Sequence, residues 1–264
     1  MVKQDAVIFS VFTKPWKTLA PQLAGFVKGL GFDAIELPVR SGYEVNPENV
    51  SKELPRAARQ FAEFGLKIAS IAGPTDEATM AACAEAGVPV IRICVGVGDE
   101  GYMAGVARLQ AEFDGMVPLL DRYGVTLGIQ NHCGHGGVCN AMGLHDLIEH
   151  YDPKHIGAVW DAGHNALCGE EPEAAIDIIW SHLRMVNLKN AFWERTNGPE
   201  AEYAQWRPYW TSGRHGLSSW PRVAAELKHR DYCGVVCLTA EYDDGHSVNR
   251  LIAEDIAFAK SLFA

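Results

Sequence analysis

Short apolar runs and amphipathic helical patterns alternate eight times along this chain, with no change of composition between its ends. The strand-like runs are 7–12, 34–39, 66–71, 88–95, 125–130, 156–160, 183–188 and 235–238. The helical patterns that follow them are 19–30, 50–64, 76–85, 103–123, 144–150, 172–181, 219–229 and 247–263. Parallel strands need a crossover between them, and helices supply it. Eight such units in 264 residues fit one closed (β/α)8 barrel, a TIM barrel, which takes about 250. The expected domain is therefore the whole chain, 1–264. Gly31, Gly65, Gly87 and Gly124 stand where helices hand over to strands, the place for a left-handed cap. An open doubly wound sheet would show a glycine-rich nucleotide loop after the first strand. Thr13-Lys14-Pro15-Trp16 is not one.

Composition narrows the function. The net charge of −10 gives no general attraction for nucleic acid or anionic lipid, and no run of Lys or Arg reverses this. No window holds the roughly 18 apolar residues of a membrane helix. The expected location is cytoplasmic, and seven cysteines, an odd number, read as free thiols there. The expected partner is a small molecule; a homo-oligomer is left open.

Four strands in the second half end in polar residues at one relative place: Gln130-Asn131-His132, Asp161, Asn187-Leu188-Lys189 and Thr239-Ala240-Glu241. Side chains alternate along a strand, so Gln130 shares a face with His132, Asn187 with Lys189, Thr239 with Glu241, and Glu36 with Arg40. Polar residues at the C-terminal ends of barrel strands are the layout of an active site. Asp161-Ala162-Gly163-His164 adds an imidazole just beyond strand six. Glu36, Arg40 and His132 are read as substrate contacts, and Arg92 as a buried ion-pair partner. Residues 190–219 form a long connection after strand seven, rich in Trp and Tyr. It is expected to close over substrate and to contribute Trp193. His132, Cys133, His135 and Cys139 have the side chains of a zinc site but not the spacing of one.

The stretch Gly31-Phe32-Asp33-Ala34-Ile35-Glu36-Leu37, the segment 124–132, the Asp161-x-x-His164 motif and the strand-seven residues together resemble the sugar phosphate isomerase/epimerase superfamily of xylose-isomerase-like barrels. That resemblance implies an enzyme working on a sugar or keto-sugar by proton transfer beside a carbonyl. It implies one divalent cation, Mn²⁺ or Mg²⁺, and no nicotinamide. Carried over by position, the metal ligands are Gln130, Asp161, Asn187 and Glu241, with Thr239 the alternative to Glu241. Gln130 stands where the family has Glu, and Asn187 where it has His. An amide cannot act as a base near neutrality, so the usual pair of opposed carboxylates is broken. The proton-transfer candidates are then Glu241 and His164, with Lys189 supplying positive charge. A one-base dehydratase or β-eliminating lyase is the alternative reaction. A non-catalytic carbohydrate-binding or partner subunit is the alternative of another class. An endonuclease-IV-like enzyme would need more zinc ligands and a basic face.

Overall fold

The computed structural model describes residues 7–134 and 136–264. Its barrel strands are β1 (Ile8–Phe12), β2 (Ala34–Pro38), β3 (Lys67–Ala72), β4 (Val90–Cys94), β5 (Thr126–Gln130), β6 (Ile156–Asp161), β7 (Leu183–Leu188) and β10 (Val235–Leu238). All are parallel, each pairs with the next in that order, and β10 returns to β1 to close the barrel. The connecting helices are α1 (Ala20–Gly29), α2 (Val50–Glu63), α3 (Glu77–Ala86), α4 (Tyr102–Tyr123), α5 (Ala141–Ile148), α7 (Pro172–Ile179), α8 (Trp220–His229) and α9 (Val248–Phe263). This is the single (β/α)8 barrel that the eightfold alternation predicts. Gly87 and Gly124 cap α3 and α4 in the left-handed conformation, where a side chain would strain the backbone.

Strand alternation divides the apolar residues between two cores. Outward-facing side chains such as Ile35, Ile91 and Trp160 pack against the helices, together with Phe61, Phe113 and Trp220. Each fully buried large apolar side chain contributes about 1.5–3 kcal/mol to that layer. Phe12, Ala72, Val90, Val159, Met185 and Cys237 form a second, smaller core inside the barrel. One pleat beyond that inner core the same faces turn polar: Arg92 follows Val90, Asp161 follows Val159, Asn187 follows Met185, and Thr239 follows Cys237. The parity that builds the core therefore also delivers the polar cluster to the C-terminal mouth. At Gly128, opposite Arg92 in register, a Cβ would lie 2.6 Å from Val159 Cγ2, so that level of the interior is full.

Two features depart from a plain barrel. A short helix, α6 (Ala162–Leu167), starts directly at the end of β6. The long connection after β7 is not a loop but an antiparallel hairpin of β8 (Asn190–Arg195) and β9 (Trp206–Thr211). Asn190 clamps the hairpin to the barrel. Its amide donates to the carbonyls of Gly213 and Ser218, both at 2.9 Å, and its oxygen accepts from the N–H of Ala191 and of Ser218. The side chain is buried, so removing it strands two carbonyls and two N–H groups. A buried group left without its partner costs about 1–3 kcal/mol. We expect Asn190→Ala to lower unfolding free energy by about 2–3 kcal/mol in urea denaturation. A change under about 0.5 kcal/mol would show that the clamp is not what holds the hairpin.

Candidate active site

The mouth is organised by one buried guanidinium. Arg92 donates to both oxygens of Glu36, from Nε at 2.7 Å and from Nη2 at 2.9 Å, and its Nη1 donates to Gln130 Oε1 at 2.6 Å. Ser70 Oγ adds a hydrogen bond to Glu36 at 3.0 Å. Gln130 passes the contact on: its Nε2 donates to Asp161 Oδ2 at 2.9 Å. The other oxygen of Asp161 caps α6, accepting from the N–H of Gly163 and of His164 at 3.0 Å each. Asn131 holds the same strand end through paired hydrogen bonds to the Asp161 backbone. An amide is the side chain that fits between a guanidinium and a carboxylate, since it accepts on one side and donates on the other. Burial raises the Asp161 acid to about 6, against the opposing pull of Lys189 and of the cap.

A second group lies across the mouth. The strand ends at Leu238, and Ala240 takes a left-handed φ of 52°, turning the chain so that Glu241 faces Lys189. Lys189 Nζ lies 2.8 Å from Glu241 Oε2, and Lys14 holds the other carboxylate oxygen. Burial alone would raise the Glu241 acid, but the two ammonium groups outweigh it and leave it near 2. Lys189 also lies 3.8 Å from the centroid of the Trp210 ring, a close cation–π contact.

Two histidine rings pack against each other beside this group, with centroids 4.0 Å apart and planes tilted by 34°. Their partners assign their tautomers. The His132 Nδ1 lies 2.7 Å from the Cys133 carbonyl, which can only accept, so Nδ1 carries the proton and Nε2 keeps its lone pair. His164 is the reverse. The Cys133 N–H donates to His164 Nδ1 at 3.1 Å, and the Cys133 thiol lies at the same distance, so the proton is on Nε2. Burial lowers the pKa of both, that of His164 well below its ordinary value, with Lys189 pushing the same way. Both rings are therefore neutral near pH 7. His164 Nε2 and both amide atoms of Asn187 are buried and have no hydrogen-bond partner. Buried polar atoms are normally paired, and these three are the ones among the site residues that a polar group of a bound molecule can meet.

Trp210, on β9, covers this part of the mouth, 4.8 Å from the His164 ring. Its strand is held by Asp243, whose carboxylate accepts from the backbone N–H of Trp210 at 2.7 Å. On its outer side a cavity of about 540 Å³ is lined by Lys14, Trp16, Tyr43, Trp210, Glu241 and Asn249.

The structure thus brings Glu36, Gln130, His132, Asp161, His164, Asn187, Lys189 and Glu241 to one end of the barrel. Glu36 is fully enclosed by Arg92 and Ser70 rather than open to a substrate. Arg40 is exposed beyond β2, with its guanidinium over Phe12. Trp193 lies elsewhere: its Nε1 donates to the Leu167 carbonyl, and it lines a separate cavity of about 410 Å³ beside α6 and α7. Thr239 is buried one residue beyond the end of β10. His135 lies outside the described residues. Sequence reasoning missed Trp210, Lys14 and the bridging role of Arg92. An arginine amid the apolar residues of β4 was the available signal for the last.

The donor set does not fit a divalent cation in this arrangement. Both oxygens of Asp161, the oxygen of Gln130 and both oxygens of Glu241 are already engaged. Three carboxylates, Glu36, Asp161 and Glu241, face three cations, Arg92, Lys14 and Lys189, leaving no surplus negative charge. Two unit charges of like sign 4 Å apart repel by about 4 kcal/mol at an effective dielectric of 20, so a dication near Lys189 is strongly disfavoured. Among the described residues no group of three or more His, Cys, Asp or Glu side chains is placed to hold a metal ion. Nor is any helix among them long and apolar enough to cross a membrane.

Comparisons with known proteins agree with this architecture. A probable 3-DHS dehydratase from Bacillus anthracis is 15% identical, with a TM-score of 0.74 over 96% of this chain and 99% of that one. An L-ribulose 3-epimerase is 15% identical, with a TM-score of 0.73 over 97% of this chain and 94% of that one. A D-psicose 3-epimerase solved in the presence of D-fructose is 12% identical, with a TM-score of 0.70 over 97% and 99%. At these identities the likeness is one of fold. No curated protein sequence matches the chain. The family described as xylose isomerase-like TIM barrel matches residues 25–262, nearly the whole of the chain, and the protein belongs to that family.

Proposed function

We propose that the protein is an enzyme that moves a proton on a carbon beside the carbonyl of a sugar or keto-sugar. The observation that carries this reading is that a backbone carbonyl meets Nδ1 of His132 while a backbone N–H meets Nδ1 of His164, which leaves one Nε2 to accept a proton and the other to donate a hydrogen bond. His132 Nε2 takes the proton from carbon. The bonding electrons move to the carbonyl oxygen, which becomes an enolate oxygen. His164 Nε2–H donates to that oxygen as a neutral imidazole, the state in which it polarises a carbonyl without being consumed as an acid. The Asn187 amide, donor at one end and acceptor at the other, orients a neighbouring hydroxyl. Glu241 is a poor base here, because Lys14 and Lys189 hold it ionised and engaged. The likeness to sugar epimerases and to a dehydratase supports the same reaction class.

A single base on one face favours isomerisation, in which His132 returns the proton to the neighbouring carbon, or loss of a β-hydroxyl as water, in which His132 gives the proton to the leaving oxygen, over inversion. Inversion needs a second proton donor on the opposite face. We further propose that the β8–β9 hairpin is the lid. Trp210 packs on the His164 ring and over the Lys189 ammonium, so substrate reaches His164 Nε2 when the hairpin lifts.

Two outcomes follow for experiment. In deuterated water a keto-sugar or inosose substrate exchanges hydrogen at the carbon beside the carbonyl. His132→Gln reduces that exchange by about 10²–10⁴-fold, the usual worth of a general base. Exchange carried at the wild-type rate by His132→Gln, as read by proton NMR, removes His132 from the reaction. Trp210→Ala lowers kcat/KM at least about tenfold with little change in thermal stability, since the ring covers reacting groups rather than the apolar core. Unchanged kinetics in that variant would show that the hairpin plays no part in turnover.

A further inference from the structure

We propose that this chain carries its cation covalently: the Lys189 ammonium takes the place of a bound divalent metal at the mouth and excludes one. The inference rests on the proton-transfer reading for what Lys189 does in the reaction, but not for the exclusion itself.

Four observations lead to it. Lys189 lies on the same inward face of the chain as Met185 and Asn187, one pleat beyond Asn187, at the level where the polar cluster opens to the mouth. Its side chain is 7% exposed, so its charge is not screened by bulk water. It binds the carboxylate of Glu241, which a metal would otherwise use, at 2.8 Å. Trp210 closes over it at 3.8 Å, a contact that suits an ammonium and offers a metal ion no ligand atom.

The substitutions around it act in the same direction. Gln130 is neutral, and its oxygen is taken by Arg92. Asn187 offers an amide where an imidazole would bind a transition metal more firmly. Asp161 spends one oxygen on the start of α6 and the other on Gln130. A metal entering here would have to break the Gln130–Asp161 and Lys189–Glu241 contacts together and sit beside a buried like charge. Lys189 instead supplies positive charge to the enolate oxygen as it forms, alongside the His164 Nε2–H. The proton leaves carbon for His132, and Lys189 takes no part in its transfer.

The test uses the full chain, purified without chelator, and manganese as the probe. Elemental analysis should find no stoichiometric divalent metal, and Mn²⁺ titration followed by electron paramagnetic resonance should show no site of micromolar affinity. Lys189→Met should bind Mn²⁺ at least tenfold more tightly than the wild type, because the repelling charge is gone and Glu241 is released. The same variant should lose at least a hundredfold in carbon–hydrogen exchange, whereas the wild type should keep its exchange rate in EDTA. A loss of exchange combined with a gain in Mn²⁺ affinity cannot come from unfolding. One stoichiometric Mn²⁺ in the wild type, or equal Mn²⁺ affinity in Lys189→Met, overturns the proposal. Absence of exchange with every keto-sugar would count against the proton-transfer reading, and the Mn²⁺ comparison would still decide the exclusion.

Discussion

The Arg92 guanidinium is the constraint on which the mouth depends. It sits among apolar strands at 7% exposure and is tolerable there only because Glu36 meets it with both oxygens. Breaking a buried pair of this kind by removing one partner typically costs about 3–5 kcal/mol, since the other charge is left uncompensated. With Arg92 fixed, Gln130 has one orientation, oxygen toward the guanidinium and nitrogen toward Asp161. With Asp161 fixed, α6 has its cap and His164 its place. The chain of contacts runs from β2 through β4, β5 and β6 without a gap, and each member is held by hydrogen bonds rather than by packing alone.

This ordering explains why Gln130 is not a defective glutamate. A carboxylate in its place would accept from Arg92 but would put a second negative oxygen against Asp161, at the 2.9 Å now bridged by an N–H. Two such carboxylates are held together by a shared proton or by a metal. This chain places a neutral amide there instead. The same logic runs across the mouth, where Glu241 lies between Lys14 and Lys189. Glu36 meets Arg92, Glu241 lies between two lysines, and Asp161 is held by neutral donors; the buried side-chain atoms of the mouth without a partner, His164 Nε2 and the Asn187 amide, are neutral as well.

The barrel was legible in the sequence because each strand and helix carries its own periodicity, and eight repeats leave little choice of closure. The position of the site was legible too, since parity alone puts Asp161, Asn187 and Lys189 on the face that points inward. What the sequence hid lay between elements. The β8–β9 hairpin reads as a loop because Pro208 and the mixed polar run around it blur the alternation, and only the pairing of Ala191 with Trp210 shows which aromatic covers the mouth. From sequence, Trp193 rather than Trp210 is the aromatic residue expected to reach the substrate. They share one face of the hairpin, but Trp193 sits further along it, over the end of α6. The roles of the histidines were beyond reach of any sequence pattern. They are decided by whether a backbone N–H or a backbone C=O meets the Nδ1 atom, and both groups belong to Cys133.

That assignment is the centre of the account, and nitrogen-15 NMR of the imidazoles reads it directly. Long-range nitrogen–proton correlations of the full chain at neutral pH should show two neutral rings of opposite kind: His132 protonated at Nδ1, His164 protonated at Nε2. Assignment of the two rings by His132→Gln and His164→Gln completes the measurement. The same tautomer in both rings, or a doubly protonated His132 at pH 7, would contradict the pairing of one acceptor with one donor on which the proposed chemistry stands.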